Sequence, residues 1–249
     1  IGFTGDNGNN DQFVLRDVSI SNAEVGVYIP NSQSIWGQIE NTIFGNCTVA
    51  GIQSSAGFTG VNLLFDNCAV DILANSTAAI NVYGWYTERA GQILKATNLA
   101  RFQVFGGKWT LMASTMTGTT RFVEHPLVTA GACVQLYGVE IINQVATHPK
   151  LYVRGNGGGG TNGGTFVMQW CKTAMAMTDL DVASVATNVL DVVIETANFS
   201  VHRRMAGVST TLVAADNRPA LAPAATDLAT ALTLVNDLRA KLVATGEYS

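Results

Sequence analysis

The most regular feature of the chain is an alternation of apolar positions that is interrupted by a two-residue corner. The segment TIFGNCTV, residues 42–49, returns as LLFDNCAV, residues 63–70, with the phenylalanine and the cysteine repeated at the same interval. Alternation of period two turns one side of each strand inward. Gly, Asn and Asp accept the positive φ that a tight corner often requires. The pattern therefore predicts two strands that meet at a corner and share one inward face.

The same corner recurs along the chain at intervals of different length. The third position of the pattern falls at Leu15, Phe44, Phe65, Val82, Val104, Leu136 and Met168. One such unit cannot bury its inward face alone, whereas stacked copies can, and helix-period patterns are nearly absent before residue 220. We therefore predict an all-β fold in which residues 1–205 form a right-handed parallel β-helix. The alternative, an antiparallel β-sandwich of short strands, would leave the recurring corner unexplained.

The last part of the chain has a different pattern. The two prolines of RPALAP mark residues 206–223 as a linker, and residues 224–249 have the heptad spacing of a short C-terminal α-helix. Its apolar stripe consists of Leu228, Ala231, Leu232, Val235, Leu238 and Leu242. A helix this short is marginal alone in water, so the stripe must pack on something. It either caps the end of the solenoid or joins copies of the chain in a trimer.

The cysteines and histidines do not have the spacing of a metal site. The four cysteines include no C-x-x-C and the three histidines are scattered, so we expect neither a metal nor a cofactor. Cys47 and Cys68 follow the corner at the inward position that Val18, Trp85 and Val139 hold elsewhere. We interpret them as small buried hydrophobes and predict that they stay reduced, because parallel strands give poor disulfide geometry.

Composition narrows the classes of partner. Charged residues make up 13% of the chain, against roughly 25% in a typical globular domain. We interpret so sparsely charged a surface as one that other subunits cover. The net charge of -4 argues against nucleic acid, which requires clustered Lys and Arg. The sequence has no run of apolar residues long enough to span a bilayer, so we predict no membrane insertion.

A parallel β-helix followed by a small C-terminal module resembles bacteriophage fibre and tailspike proteins. The tail segment ATDLATALTLVNDLRAKLVATGEYS is similar to the C-terminal helices of phage head-fibre and tail-fibre proteins, above all in VNDLRAKL. The resemblance implies a virion component on the exterior of the tail or the capsid, homotrimeric and in contact with other virion proteins. It includes no catalytic motif, so no functional residue is carried over from it.

The resemblance leaves three functions open. The first, which we favour, is a fibre or spike that attaches the virion to host surface polysaccharide, where three identical sites raise avidity. The second is a tailspike depolymerase that cleaves this polysaccharide as a hydrolase or a lyase. The third is a head-fibre or decoration protein of the capsid, which recognises only the shell.

Two carboxylates are the best catalytic candidates. Asp71 and Glu88 each follow the last apolar position of the pattern, so the alignment predicts that they stack on the outer face one coil apart. Glycoside hydrolysis usually requires two carboxylates about 5 to 10 Å apart. The alternative is a pair of solvated carboxylates in turns.

The first corner position predicts a column of aromatic side chains outside the solenoid. Tyr83, Phe105 and Tyr137 hold this position in three consecutive units. Sugars stack on exposed aromatic faces while polar neighbours bind their hydroxyl groups. The polar candidates are Glu88, Lys108 and Glu140. The alternative is that the rings are buried at a subunit interface, where aromatic residues are enriched.

Overall fold

The chain divides into two compact units, Ile1–Val213 and Ala214–Ser249. The computed structural model describes residues 12–30, 37–75, 79–97, 101–112, 121–126, 132–144, 150–155, 164–173, 180–184, 189–196, 200–206 and 210–211. All of these belong to the first unit. The helix predicted over residues 224–249, with its apolar stripe, lies outside the described residues.

The described strands form two sheets. The larger consists of β1 (Val14–Arg16), β2 (Ser19–Ser21), β4 (Gly37–Glu40), β5 (Ile43–Gly45), β7 (Phe58–Asp66), β9 (Ala79–Glu88), β11 (Arg101–Leu111), β13 (Cys133–Asn143), β15 (Gly164–Thr173), β17 (Val189–Thr196) and β18 (Ser200–Ala206). The smaller consists of β3 (Val25–Ile29), β6 (Ala50–Ser54), β8 (Val70–Ala74), β10 (Gln92–Ala96), β12 (Arg121–Pro126), β14 (Lys150–Gly155), β16 (Leu180–Ser184) and β19 (Thr210–Thr211).

The chain alternates between the two sheets and adds each new strand beside the corresponding strand of the previous turn. The order β4-β7-β9-β11-β13-β15 in one sheet and β6-β8-β10-β12-β14 in the other is parallel throughout. The terminal pairings β17–β18 and β16–β19 are antiparallel. The predicted parallel solenoid is therefore confirmed, and the antiparallel sandwich is wrong.

The register confirms most of the predicted alignment and corrects two steps of it. Phe44 pairs with Phe65 as predicted. A later column is also confirmed and consists of Val82, Val104, Leu136 and Met168. The step between them is wrong, because Phe65 lies opposite Thr87 and Val82 lies opposite Gly60. The first step is wrong too, because Leu15 lies opposite Ile39, whereas Phe44 lies opposite Ile20. Each turn of the larger sheet has two corners with the same alternation, and at both steps the alignment joined a first corner of one turn to a second corner of a neighbouring turn.

Both corners are built from residues in the left-handed region. Positive φ occurs in the first corner at Asp17, Asn41, Asn62, Gly84, Gly106, Gly138 and Trp170, and in the second at Asn22, Asn46, Asn67 and Arg89. Asparagine side chains link neighbouring turns: Asn62 Nδ2 donates to Asn41 Oδ1 (3.1 Å), and Asn67 Nδ2 donates to Asn46 Oδ1 (2.7 Å). Asparagine both tolerates this backbone and bonds to its copy one turn away, so it fixes the corners in register.

The core between the sheets contains a column of aromatic rings. Phe44 stacks on Phe65 with ring centroids 4.9 Å apart, and Trp85 continues the column and packs edge-on against Trp109 at 5.4 Å. All four side chains are fully buried. Burial of each phenylalanine stabilises the fold by roughly 1.5 to 3 kcal/mol.

Two glycines of the smaller sheet make room for these rings. A Cβ on Gly26 would lie 2.7 Å from Cδ1 of Phe44, and a Cβ on Gly51 would lie 2.6 Å from Cδ1 of Phe65. Carbon atoms in contact are normally about 3.5 to 4.0 Å apart. The close approach of ring to backbone therefore requires glycine at both positions.

Cys47 and Cys68 are free and buried, as predicted. Burial is the main cause that raises the pKa of each thiol, so both stay neutral at physiological pH. Their predicted alignment with Trp85 is wrong. They follow the second corner, whereas Trp85, like Val18 and Val139, follows the first corner, and Trp85 lies opposite Leu63.

Candidate ligand-binding face

The predicted column of Tyr83, Phe105 and Tyr137 is confirmed on the outer face of the larger sheet. The three residues are register partners in β9, β11 and β13. Their ring centroids are 4.9 and 5.3 Å apart, with interplanar angles of 10° and 15°. Parallel strands place equal positions of successive turns directly above one another, so identical or similar side chains stack. Tyr83 remains 46% exposed.

Trp170 extends this column by a fourth ring. Its indole lies 5.9 Å from the Tyr137 ring and is tilted by 41°. The side chain is 76% exposed, and the backbone has a φ of 55°. This corner position is glycine in the three preceding turns, at Gly84, Gly106 and Gly138. A tryptophan in the left-handed region costs about 1 to 2 kcal/mol, so the fold holds a strained backbone there and presents a large ring to solvent.

The stacking determines which ring faces a ligand can reach. Near-parallel rings at these separations turn their faces toward one another, so the interior of the column offers mainly ring edges. The tilt of Trp170 ends the parallel stack. The best platform for a flat ligand is therefore the Trp170 end of the column.

Polar side chains border the column on both sides. Gln103 donates a hydrogen bond to Gln135 along one side, and Gln169 Nε2 donates to Glu195 Oε2 (2.8 Å) beyond Tyr137. On the other side Lys172 Nζ donates to Glu140 Oε1 (2.6 Å), and this bond lowers the pKa of Glu140. Glu140, a predicted polar neighbour, is thus already engaged in an ion pair.

A groove runs beside the column, beyond the first corner. Its volume is about 230 Å³ and its lining includes Leu64, Asp66, Tyr86, Glu88, Lys108 and Thr110. The register places these side chains in two rows across β7, β9 and β11: Leu64–Tyr86–Lys108 and Asp66–Glu88–Thr110. The predicted polar candidates Glu88 and Lys108 therefore line one groove. Asp66 forms an ion pair with Arg89, which does not line the groove; Arg89 Nε donates to Asp66 Oδ1 (2.7 Å).

The predicted stacking of Asp71 on Glu88 is wrong. Asp71 lies on β8 of the smaller sheet and is fully buried, whereas Glu88 is exposed at the end of β9. Glu88 has Asp66 as its register partner. The alignment error at Phe65 shifted Glu88 by one corner, and this placed it beside the wrong carboxylate.

Comparison of the chain with protein-family models, with curated proteins and with solved structures finds no match.

Neither a metal site nor a membrane helix occurs within the described residues. They contain no group of three or more His, Cys, Asp or Glu side chains arranged to hold a metal ion. None of their segments is a helix of the length and hydropathy that a membrane span requires.

Sequence reasoning missed three residues of this face. Trp170 stands two residues after Met168, at the corner of the predicted pattern, and its size is the available signal, since the described first corners of the other turns have Asp, Asn or Gly at this position. Tyr86 and Asp66 were missed because the register between β7 and β9 was shifted. With the correct register, Tyr86 falls between Leu64 and Lys108 on the outside of the sheet.

Proposed function

We propose that this solenoid is an adhesive protein that binds surface glycans on the outer face of its larger sheet. The observation that supports this most directly is the exposed aromatic column that ends at the tilted, open ring of Trp170. The C–H face of a sugar ring packs on an aromatic face, and nearby amides and carboxylates bind its hydroxyl groups. Gln135, Gln169 and Glu195 supply such groups around the column.

The biological setting that we propose is a bacteriophage fibre or spike, assembled as a homotrimer on the virion exterior. The support is the resemblance of solenoid and tail segment to phage fibre proteins. The low share of charged residues also suits a chain with a subunit interface. Three copies of a weak site would give strong attachment through avidity.

A glycan array probed with the purified full-length chain tests the proposal. We expect binding to a restricted set of glycans and a loss of at least about tenfold in Trp170→Ala, because the open ring face is removed. Tyr28→Ala is the matched control, since Tyr28 is an exposed aromatic residue of β3 in the smaller sheet, 38% exposed. Equal binding by wild type and Trp170→Ala would contradict a role for the column. The interface alternative predicts instead that Trp170→Ala lowers the molecular mass measured by light scattering.

One observation favours the depolymerase as a second candidate. Asp66 and Glu88 are register partners on adjacent parallel strands, which lie roughly 4.8 Å apart, and they line the same groove. Retaining glycosidases place two carboxyl groups about 5 to 5.5 Å apart. If the groove hydrolyses a glycan, new reducing ends will form with the wild type and will be absent with Glu88→Gln. Asp71→Asn is the control, because Asp71 is buried away from the groove.

A further inference from the structure

The groove beside the column has the size and chemistry of a separate subsite. We propose that it binds one neutral pyranose unit, with the apolar face of the sugar on Tyr86 and its hydroxyl groups between Glu88 and Lys108. This inference deepens the proposed function, on which it rests for the assumption that the ligand is a carbohydrate. It adds the sugar class and a second, independent contact area.

The dimensions of the groove suit a single ring. Its volume of about 230 Å³ is smaller than that of pockets for drug-sized ligands, which are roughly 300 to 1,000 Å³. The groove is only three strands wide, from β7 through β9 to β11. Strands in this sheet direction are about 4.8 Å apart, so the distance from Leu64 to Lys108 is close to the width of one sugar ring and its hydroxyl groups.

The apolar wall is accessible, unlike the interior of the aromatic column. Tyr86 is 48% exposed and Leu64 is 40% exposed. Within the described part of the chain, no other aromatic ring contacts Tyr86, whereas Tyr83, Phe105 and Tyr137 stack on one another. The free surface of Tyr86 is therefore suited to the C–H face of a sugar.

The charges favour a neutral ligand rich in hydroxyl groups. Asp66 is already paired with Arg89. Within the described residues Glu88 and Lys108 make no side-chain hydrogen bond or salt bridge, although Glu88 attracts Arg89 and Lys108 attracts its register partner Glu140 electrostatically. Two carboxylates and two cations leave the site without net charge. Sugar hydroxyls can donate to Glu88 and accept from Lys108, and such charge-assisted hydrogen bonds are about twice as strong as neutral ones.

The same charges disfavour an acidic sugar. A uronic acid lying on Tyr86 with its carboxylate toward Glu88 and Asp66 would meet like charges. In the opposite orientation its carboxylate would compete with Glu140, the register partner of Lys108, for the Lys108 charge. We therefore expect the groove to discriminate between a neutral glycoside and the corresponding glucuronide. This preference would not follow from a hydrophobic contact with Tyr86 alone.

The test is a saturation-transfer NMR titration of the full-length chain with monosaccharide probes. The probes are the methyl glycosides of glucose, galactose, mannose and N-acetylglucosamine, with methyl glucuronide as the charged probe. We expect at least one neutral glycoside to bind with a Kd of about 1 mM and the glucuronide to bind more weakly. Tyr86→Ala and Glu88→Gln should each weaken binding about tenfold, whereas Tyr86→Phe should retain it.

Controls separate this inference from the proposed function. Tyr28→Ala should leave monosaccharide binding in the groove unchanged, because Tyr28 lies on the smaller sheet, and a thermal unfolding curve verifies that each variant is folded. The inference is overturned if no neutral glycoside binds, if the glucuronide binds best, or if Tyr86→Ala binds as the wild type does. Array binding that depends on Trp170 but not on Tyr86 would overturn the groove alone. Monosaccharide binding that depends on Tyr86, with no glycan bound on the array, would overturn the proposed adhesive function alone.

Discussion

The indole Nε1 of Trp85 lies 3.4 Å from Oδ2 of Asp71 and donates a hydrogen bond to it across the core. Asp71 is fully buried and occupies the place on the smaller sheet that Gly51 holds one turn earlier. On the larger sheet the small Thr87 lies opposite Phe65 of the earlier turn. Where a phenylalanine ring faces glycine in one turn, a threonine therefore faces an aspartate in the next.

This buried carboxyl predicts a pH dependence of stability. Burial raises the pKa of Asp71 well above its ordinary value, while the neighbouring Thr87 hydroxyl and Trp85 indole lower it to a smaller degree. Because the folded pKa exceeds the unfolded one, the stabilisation is complete below the unfolded pKa of about 4. It is lost as the pH rises from there through the folded pKa.

The free energy of unfolding, measured with denaturant between about pH 4 and pH 8, should therefore fall with rising pH in the wild type. Asp71→Asn should flatten this slope, since an amide does not titrate. Measurements stay below about pH 8.5 because the pKa values of the buried thiols of Cys47 and Cys68 are also raised. Above that pH the unfolded chain releases the thiol protons and the folded chain keeps them, so the free energy of unfolding would fall for this second reason. Parallel slopes in wild type and variant would contradict the assignment.

The contact between Gly51 and Phe65 predicts a large cost for one methyl group. Gly51→Ala places a Cβ 2.6 Å from the ring, and overpacking of this kind usually costs about 1 to 3 kcal/mol. Gly45→Ala is the matched control, because its Cβ would meet its nearest neighbour, Ser21 Cβ, at an ordinary 3.5 Å. Urea unfolding of the two variants measures the difference. Equal stabilities would mean that the core relaxes around Phe65 more easily than the close approach indicates.

The asparagine columns predict that the backbone conformation and the side-chain amide contribute separately. Asn62 has a φ of 51° and donates to Asn41. Asn62→Gly keeps the left-handed backbone and loses only the amide hydrogen bond, worth about 0.5 to 1.5 kcal/mol. Asn62→Ala loses the bond and also strains the backbone by about 1 kcal/mol or more. The alanine variant should thus unfold at lower denaturant concentration than the glycine variant, and the reverse order would disprove the role of φ.

The repeating alternation was sufficient to predict a stacked, parallel architecture but not its complete register. The pairings of Phe44 with Phe65 and of Val82 with Val104 are correct because each pair lies in the same corner of successive turns. The steps from Leu15 to Phe44 and from Phe65 to Val82 failed because the two corners of one turn have the same pattern of apolar and turn residues. The two corners differ only in how the strand behaves there. β7 and β9 each continue through the first corner of their turn and end at the second.

The buried carboxylate was unpredictable for a different reason. A charged residue type after a corner is normally solvated, so Asp71 was placed on the outer face. Its burial depends on the space left where Thr87 replaces a ring and on the indole donor of Trp85. Thr87 and Trp85 lie on β9 of the larger sheet, whereas Asp71 lies on β8 of the smaller sheet. The alternation within one strand contains no information about the residues that face it across the core.

The strained backbone of Trp170 predicts that stability and binding change in different ways. Trp170→Gly and Trp170→Ala both lose the exposed ring and its contact with Tyr137, so both should lose glycan binding equally. Alanine keeps the cost of a side chain at a φ of 55°, whereas glycine removes it. The glycine variant should be more stable than the alanine variant by about 1 kcal/mol in a denaturant titration. Glycan binding that recovered in the more stable variant would mean that Trp170 acts through the fold; equally weak binding in both would assign the loss to the ring itself.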